Sequence, residues 1–169
     1  MIFATVGNAT QSFRRLLDAV DALAGKGVFG QDEVVIQSGN TADFLSLYGK
    51  QERVLPMEQF SALIAKADLV ICHAGAGTLF HVLQARKVPV VMPRRKRYGE
   101  HVDDHQMELT RALAAVGRAV PAYEPEDLPA AIAEAQRRSN QPLPPTPSLM
   151  LELVGQAIDE LMKRGTKND

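Results

Sequence analysis

Two apolar runs in this chain are too short to be buried helices, and both empty into loops dense with polar groups. Leu69-Val70-Ile71-Cys72 ends at His73 and the glycine-spaced turn Gly75-Ala76-Gly77, with Thr78 placed to cap a helix through Leu79, Val82 and Leu83. Residues 88–92 run into Arg94-Arg95-Lys96-Arg97, then Gly99-Glu100-His101 and Asp103-Asp104-His105-Gln106. An apolar strand, a tight loop and a helix start together present free backbone N–H groups to an anion. Loops leaving neighbouring buried strands lie side by side at one edge of an open α/β sheet, where such folds bind ligands. A phosphate-bearing ligand is the first expectation.

The rest of the chain repeats the strand–helix rhythm. Residues 2–6 read as a strand ending at Gly7-Asn8. Phe13, Leu16, Leu17, Val20 and Leu23 then recur on one helical face. Val34-Val35-Ile36 is a second strand, stopped by Ser38-Gly39-Asn40. Phe44, Leu45, Leu47 and Tyr48 suggest a short helix within residues 41–52, and Val54-Leu55 a third strand. A helix carrying Phe60, Leu63 and Ile64 precedes the two runs described above. Helices over 104–115 and 126–138 follow, with a small strand near 118–120 between them. This alternation predicts a doubly wound parallel sheet in one domain of residues 1–169. Four prolines within residues 141–147 read as a stiff connector. Leu149, Leu153, Val154, Ala157, Ile158, Leu161 and Met162 then form the stripe of a helix over 148–163, expected to pack on its own sheet, with a partner as the alternative.

Charge excludes one class of function. The net charge of -1 argues against a nucleic-acid or general polyanion binder. Within residues 73–106, however, six basic residues face three acidic ones, against 13 and 17 in the remainder. That pattern suggests a local anion site, the alternative being a solvated basic loop. Cys72 is the only cysteine, so no intrachain disulfide exists, and its place in an apolar run favours a buried small hydrophobe. No apolar run reaches the roughly 20 residues of a membrane span. The opening MIFATVG reads as a strand and not as a signal peptide, so a cytoplasmic location is expected.

The glycine segment is neither a dinucleotide fingerprint nor a Walker A loop, because the required GxGxxG series and Lys-Ser/Thr ending are missing. His101 and His105 are four apart with Asp103 and Asp104 between them, a set zinc could accept if the geometry converged. The expectation is no metal and no cofactor. Instead Asp104 is read as a helix cap, with His105 or Gln106 reaching ligand hydroxyls. His73 could orient a phosphate, act as a base or bond backbone at the strand end. His81 could point to ligand or to solvent. Glu100 could hold sugar hydroxyls or pair with the basic run.

The segment ADLVICHAGAGTLFHVLQARKVPVVMPRRKRYGEHVDDHQ resembles the C-terminal half of family 28 glycosyltransferases, which have the GT-B fold. IFATVGN and VVIQSGNT resemble earlier parts of the same domain, so the resemblance covers about residues 1–120. It implies a single Rossmann-like sheet equivalent to the donor-binding half of a GT-B enzyme. Within the family, MPRRKRYGEHVDDHQ looks most like the small catalytic subunits of split bacterial exopolysaccharide transferases, and like the split eukaryotic transferase that adds N-acetylglucosamine to a dolichol-linked sugar.

The resemblance implies a hexosyltransferase that uses a nucleotide sugar, UDP-linked in the first instance, and a lipid-linked saccharide acceptor. Its partner would be a membrane-associated, acceptor-binding subunit that recruits it to the inner face of the cytoplasmic membrane. By the same resemblance Gly7 and Asn8 fall in the first donor loop, and His73, Gly75, Ala76, Gly77 and Thr78 near nucleotide and diphosphate. Glu100, His101, Asp104, His105 and Gln106 fall near the donor sugar, and Arg94 begins a basic run that could meet diphosphate, anionic lipid or the partner. His81 stands where the family often has a ribose-holding Glu, a departure that puts ribose recognition in question. Inversion without a required metal is implied. The base is expected on the partner, with His105 as the candidate within this chain. The alternatives from other classes are a noncatalytic nucleotide-sugar-binding or regulatory subunit and a metal-dependent hydrolase.

Overall fold

The computed structural model describes residues 1–139; the proline-rich connector and the helix expected over 148–163 lie outside the described residues. Strands β1 (Ile2–Thr5), β2 (Val34–Gln37), β3 (Lys50–Glu52), β4 (Leu69–His73), β5 (Val90–Met92) and β6 (Val120–Pro121) form one sheet. Their order is β3-β2-β1-β4-β5-β6, and every pairing is parallel. Ile2 stands opposite both Val34 and Leu69, so β1 is the central strand from which the chain winds first one way and then the other.

Alternate side chains feed two separate cores. Ile2, Ala4, Ile36, Ile71, Val90 and Met92 pack with α1 (Arg14–Gly25) and α5 (Leu128–Ser139). Phe3, Val35, Val70, Cys72 and Val91 pack on the opposite face with α2 (Met57–Lys66), α3 (Ala76–Gln84) and α4 (His105–Ala115). Helices on both faces bury the strands completely, which is why β1, β2, β4 and β5 are continuous apolar runs and not alternating ones. Each fully buried Leu or Ile in these layers contributes about 1.5–3 kcal/mol of hydrophobic stabilisation. Cys72 is wholly buried, and burial pushes its thiol up to about 12, so it acts as a small apolar residue.

The segment between β2 and α2 departs from expectation. Residues 41–49 form no helix, and β3 is Lys50–Glu52, before Val54-Leu55. Leu45, Leu47, Tyr48 and Val54 are exposed instead of packed. Two causes are visible. Asp21 of α1 is buried and holds the loop in a non-helical path, accepting from Ser46 Oγ (2.6 Å) and from the N–H groups of Leu47 and Tyr48 (both 3.1 Å). Strand β3 lies at the sheet edge, where a charged sequence blocks further pairing and leaves no apolar signal. The remaining elements fall within a few residues of the sequence expectation.

Loops at the carboxyl ends of β1 and β2 interlock through close backbone contact. Gly39 has φ +56°, and a Cβ there would stand 2.1 Å from the Gly7 carbonyl oxygen. Gly27 shares a positive φ of +71° but has open space around it. Gly39→Ala should therefore destabilise the protein by more than about 2 kcal/mol, against about 1 kcal/mol for Gly27→Ala, as measured by urea unfolding.

Candidate functional site

The chain reverses its winding direction between β1 and β4, and the loops leaving these two strands diverge there. A crevice of about 280 Å³ opens at that point. Gly7 and Asn8 line it from the end of β1, Gln37 from β2 and His73 from β4. Gly75, Gly77, Thr78 and His81 come from the start of α3, while Leu55, Met57 and Phe60 supply an apolar wall. Helix α3 begins at Ala76, with Gly75 at its N-cap and not Thr78. Leu79 is the first residue to bond back, to Gly75 O (3.0 Å), so the preceding N–H groups have no intrahelical acceptor.

The β1 loop is set by a relay of polar groups. The Gly7 N–H donates to Thr5 Oγ (3.1 Å), Thr5 bonds the Gln37 side-chain oxygen, and Gln37 donates onward to Asn8 Oδ1 (2.9 Å). Asn40 fixes the same loop through the Asn8 carbonyl (3.0 Å). Thr5 and Gln37 are buried, so their mutual satisfaction is required. The sequence reading missed Gln37. Its signal was a polar residue closing an apolar strand just before Ser38-Gly39-Asn40.

His73 is the buried centre of the crevice floor. A Cβ at Gly7 would lie 2.4 Å from His73 Nε2, and one at Gly75 would lie 2.0 Å from Cε1. The two glycines thus make room for the imidazole, beyond any role in turning the chain. His73 Nε2 contacts Thr78 Oγ1 at 3.1 Å, while Nδ1 is buried with no hydrogen-bond partner. Burial, joined by the positive charge of Arg94 and by His101, pulls the His73 pKa down to about 3, with a smaller opposing effect from Gln106. The ring is therefore neutral at physiological pH.

The basic run is mostly committed inside the protein. Arg94 is 1% exposed and stacks on Phe13, its guanidinium carbon 4.7 Å from the ring centroid. It donates to the carbonyls of Val6 (2.8 Å), Gln11 (2.8 Å) and Glu100 (3.1 Å). Burial lowers its pKa to about 10, leaving it cationic at neutral pH. Glu100 accepts a bidentate pair from Arg15 (2.9 and 2.8 Å) and the Arg95 N–H (2.9 Å). Arg95 and Arg97 both reach Glu124. Lys96 and Arg97 are the exposed members of the run. Arg15 and Glu124, distant in sequence, were invisible as members of this network.

His101 and Asp104 in the neighbouring loop, and His105 and Gln106 at the start of α4, are not among the crevice-lining residues. Asp104 precedes α4 but makes no side-chain cap; its carboxylate accepts from the Lys96 N–H (2.9 Å). Gln106 is buried and accepts from the Arg94 N–H (3.1 Å). His101 and His105 meet edge to face at 4.6 Å, with Asp103 between them. Burial, with His105 next, lowers the His101 pKa.

The sheet order and the crevice at its reversal point define a Rossmann-like, doubly wound α/β domain of the kind that forms the donor-binding half of GT-B transferases. The solved glycotransferase of kitacinnamycin superposes with a TM-score of 0.57 at 19% identity, over 84% of this chain and 36% of that one. MurG of Acinetobacter baumannii gives 0.50 at 20% identity, over 91% and 49%. Both show the shared fold.

The chain belongs to the family described as the glycosyltransferase family 28 C-terminal domain, which matches residues 1–161. The human UDP-N-acetylglucosamine transferase subunit ALG13 is 31% identical over 123 residues, 69% of this chain and 10% of that protein. The UDP-N-acetylglucosamine--N-acetylmuramyl-(pentapeptide) pyrophosphoryl-undecaprenol N-acetylglucosamine transferase of Myxococcus xanthus is 36% identical over 70 residues, 41% of this chain and 17% of its own length. The chain thus matches a minor part of each of these relatives. Among the described residues, no helix is long and apolar enough to cross a membrane.

Two expectations follow from the buried basic residues. Arg94→Met strands the Val6, Gln11 and Glu100 carbonyls and should cost at least about 3 kcal/mol in chemical denaturation. His73 has a folded pKa near 3 against an ordinary 6.5, so between those pH values only the unfolded chain binds the proton. Stability should fall as pH drops below about 6.5, by up to about 1.4 kcal/mol per pH unit from this residue. The His73→Asn variant should lack that component, read as the pH dependence of its stability difference from wild type.

Proposed function

We propose that this chain is the donor-binding, catalytic subunit of a two-chain inverting hexosyltransferase. It would move a sugar from a nucleotide donor, UDP-linked in the first instance, to a lipid-linked saccharide in polysaccharide synthesis. The observation that carries this reading is the crevice at the sheet's reversal point, edged by Gly7, Gly75 and Gly77 and faced by the start of α3, in a member of this glycosyltransferase family. Similarity to proteins named as UDP-N-acetylglucosamine transferases supports the donor class, and similarity to one named as a subunit supports the paired assembly. A membrane-associated, acceptor-binding chain would close the crevice and bring this one to the inner face of the cytoplasmic membrane.

The chemistry asked of these residues is mainly electrostatic. The acceptor oxygen bonds to the anomeric carbon as the bond from that carbon to the nucleoside diphosphate breaks, and a base takes the acceptor proton. Negative charge grows on the departing diphosphate, where the free N–H groups and dipole of α3 favour it by about 1 kcal/mol per charge or somewhat less. Neutral His73 gives the crevice a polar floor without adding charge. Leu55, Met57 and Phe60 offer an apolar surface for a flat base. His105 lies beside the crevice and not in it, which favours a base from the partner.

Radiolabelled transfer from a panel of nucleotide sugars into membrane lipid tests the assignment, using this chain, its membrane partner and the two together. Transfer is expected only with both. Gly75→Ala, which drives a methyl into the His73 ring, should lower kcat/KM by at least about tenfold. Donor binding without transfer, in a verified complex with a matched acceptor, would instead establish a noncatalytic binding subunit.

A further inference from the structure

Beside the crevice the chain turns through Gly99 (φ +68°) and folds back into α4, drawing His101, Asp103 and His105 together. One ligand atom from each lies within 4.8 Å of the other two. His101 Nδ1 is 3.2 Å from Asp103 Oδ1, and His105 Nδ1 touches the same oxygen. The two imidazoles are 20% and 24% exposed, so they are held in place yet reachable from solvent. The turn is anchored from both sides. Arg94 grips the Glu100 carbonyl (3.1 Å), and Asp104 is drawn away to the Lys96 N–H (2.9 Å).

Asp103 stands between the two rings. Its Oδ1 meets both Nδ1 atoms and accepts from the His105 N–H (3.2 Å), while its own N–H donates to His101 Nδ1 (3.4 Å). Two imidazole nitrogens and a carboxylate oxygen therefore already converge within one turn of chain.

We propose that His101, Asp103 and His105 form a three-ligand site for a divalent first-row transition-metal ion of the zinc class. Two imidazole nitrogens and one carboxylate oxygen suit such an ion, whereas magnesium and calcium favour oxygen ligands. Bonds of about 2.1 Å in tetrahedral geometry place ligand atoms roughly 3.4 Å apart; the His101–Asp103 distance of 3.2 Å already matches, and the His105–Asp103 contact has to open. Asp103, the most exposed of the three, can supply much of that movement. The charge of a bound ion would sit next to His101, which already influences His73 on the crevice floor. The site stands independently of the transferase reading and is not a requirement of its chemistry.

Isothermal titration of the full chain with zinc chloride tests the site, with cobalt(II) absorption as a second readout. One zinc per chain is expected, with a d–d band typical of nitrogen and oxygen ligands when cobalt replaces it. His101→Ala and His105→Ala should each weaken binding at least about tenfold. The near-isosteric Asp103→Asn should do the same while keeping the wild-type melting profile. His81→Ala, which removes a histidine outside the cluster, should leave binding unchanged. Affinity weaker than about 1 mM, or binding lost with His81 and kept without His101 and His105, would overturn the proposal.

Discussion

One buried guanidinium fastens the loops around this crevice. Arg94 leaves the end of β5 and reaches the carbonyls of Val6, Gln11 and Glu100, tying the β1 loop to the turn that precedes α4. A cation almost without solvent is tolerable because carbonyl dipoles surround it and the Phe13 ring face lies against it. Its charge also helps keep His73 neutral, so the same residue shapes the crevice wall and sets the electrostatics of its floor.

Around that anchor a second layer fixes the β5 loop. Glu100 binds Arg15 through both carboxylate oxygens, and Glu124 gathers Arg95 and Arg97. Arg94, Arg95 and Arg97 of the basic run are thereby held by partners within the protein. The free electrostatic potential for an anion comes instead from the start of α3, where backbone groups need no counter-ion. The glycines serve the same end: Gly7 and Gly75 leave space for an imidazole that any β-carbon would displace.

Membership of the glycosyltransferase family and the position of the crevice account for one another. A parallel sheet that reverses direction leaves a gap between diverging loops, and this chain lines that gap with small residues and donors. The apolar wall of Leu55, Met57 and Phe60 gives the crevice two chemically distinct sides. The His101–Asp103–His105 turn lies beside both, as a cluster outside the crevice lining.

Much of this was legible in the residues. Residues 2–6, 34–36, 69–72 and 88–92 announced buried parallel strands because strands covered on both faces must be apolar throughout, and the glycine spacing after His73 marked the crevice. The sequence could not place β3, because Lys50-Gln51-Glu52 is an edge strand whose polar composition resembles a loop. Nor could it show that Leu45, Leu47 and Tyr48 stay exposed, since Asp21, more than 20 residues earlier, decides that path. The partners of the basic run could not be read locally either: Glu124, which meets Arg95 and Arg97, is distant in sequence, and the carbonyls of Val6 and Gln11 that hold Arg94 are more distant still. Local patterning determined which segments become strands and helices, because burial periodicity is a property of neighbouring residues. Only tertiary structure decided which charges remain free and which histidines converge, because those outcomes depend on groups brought together across the whole chain.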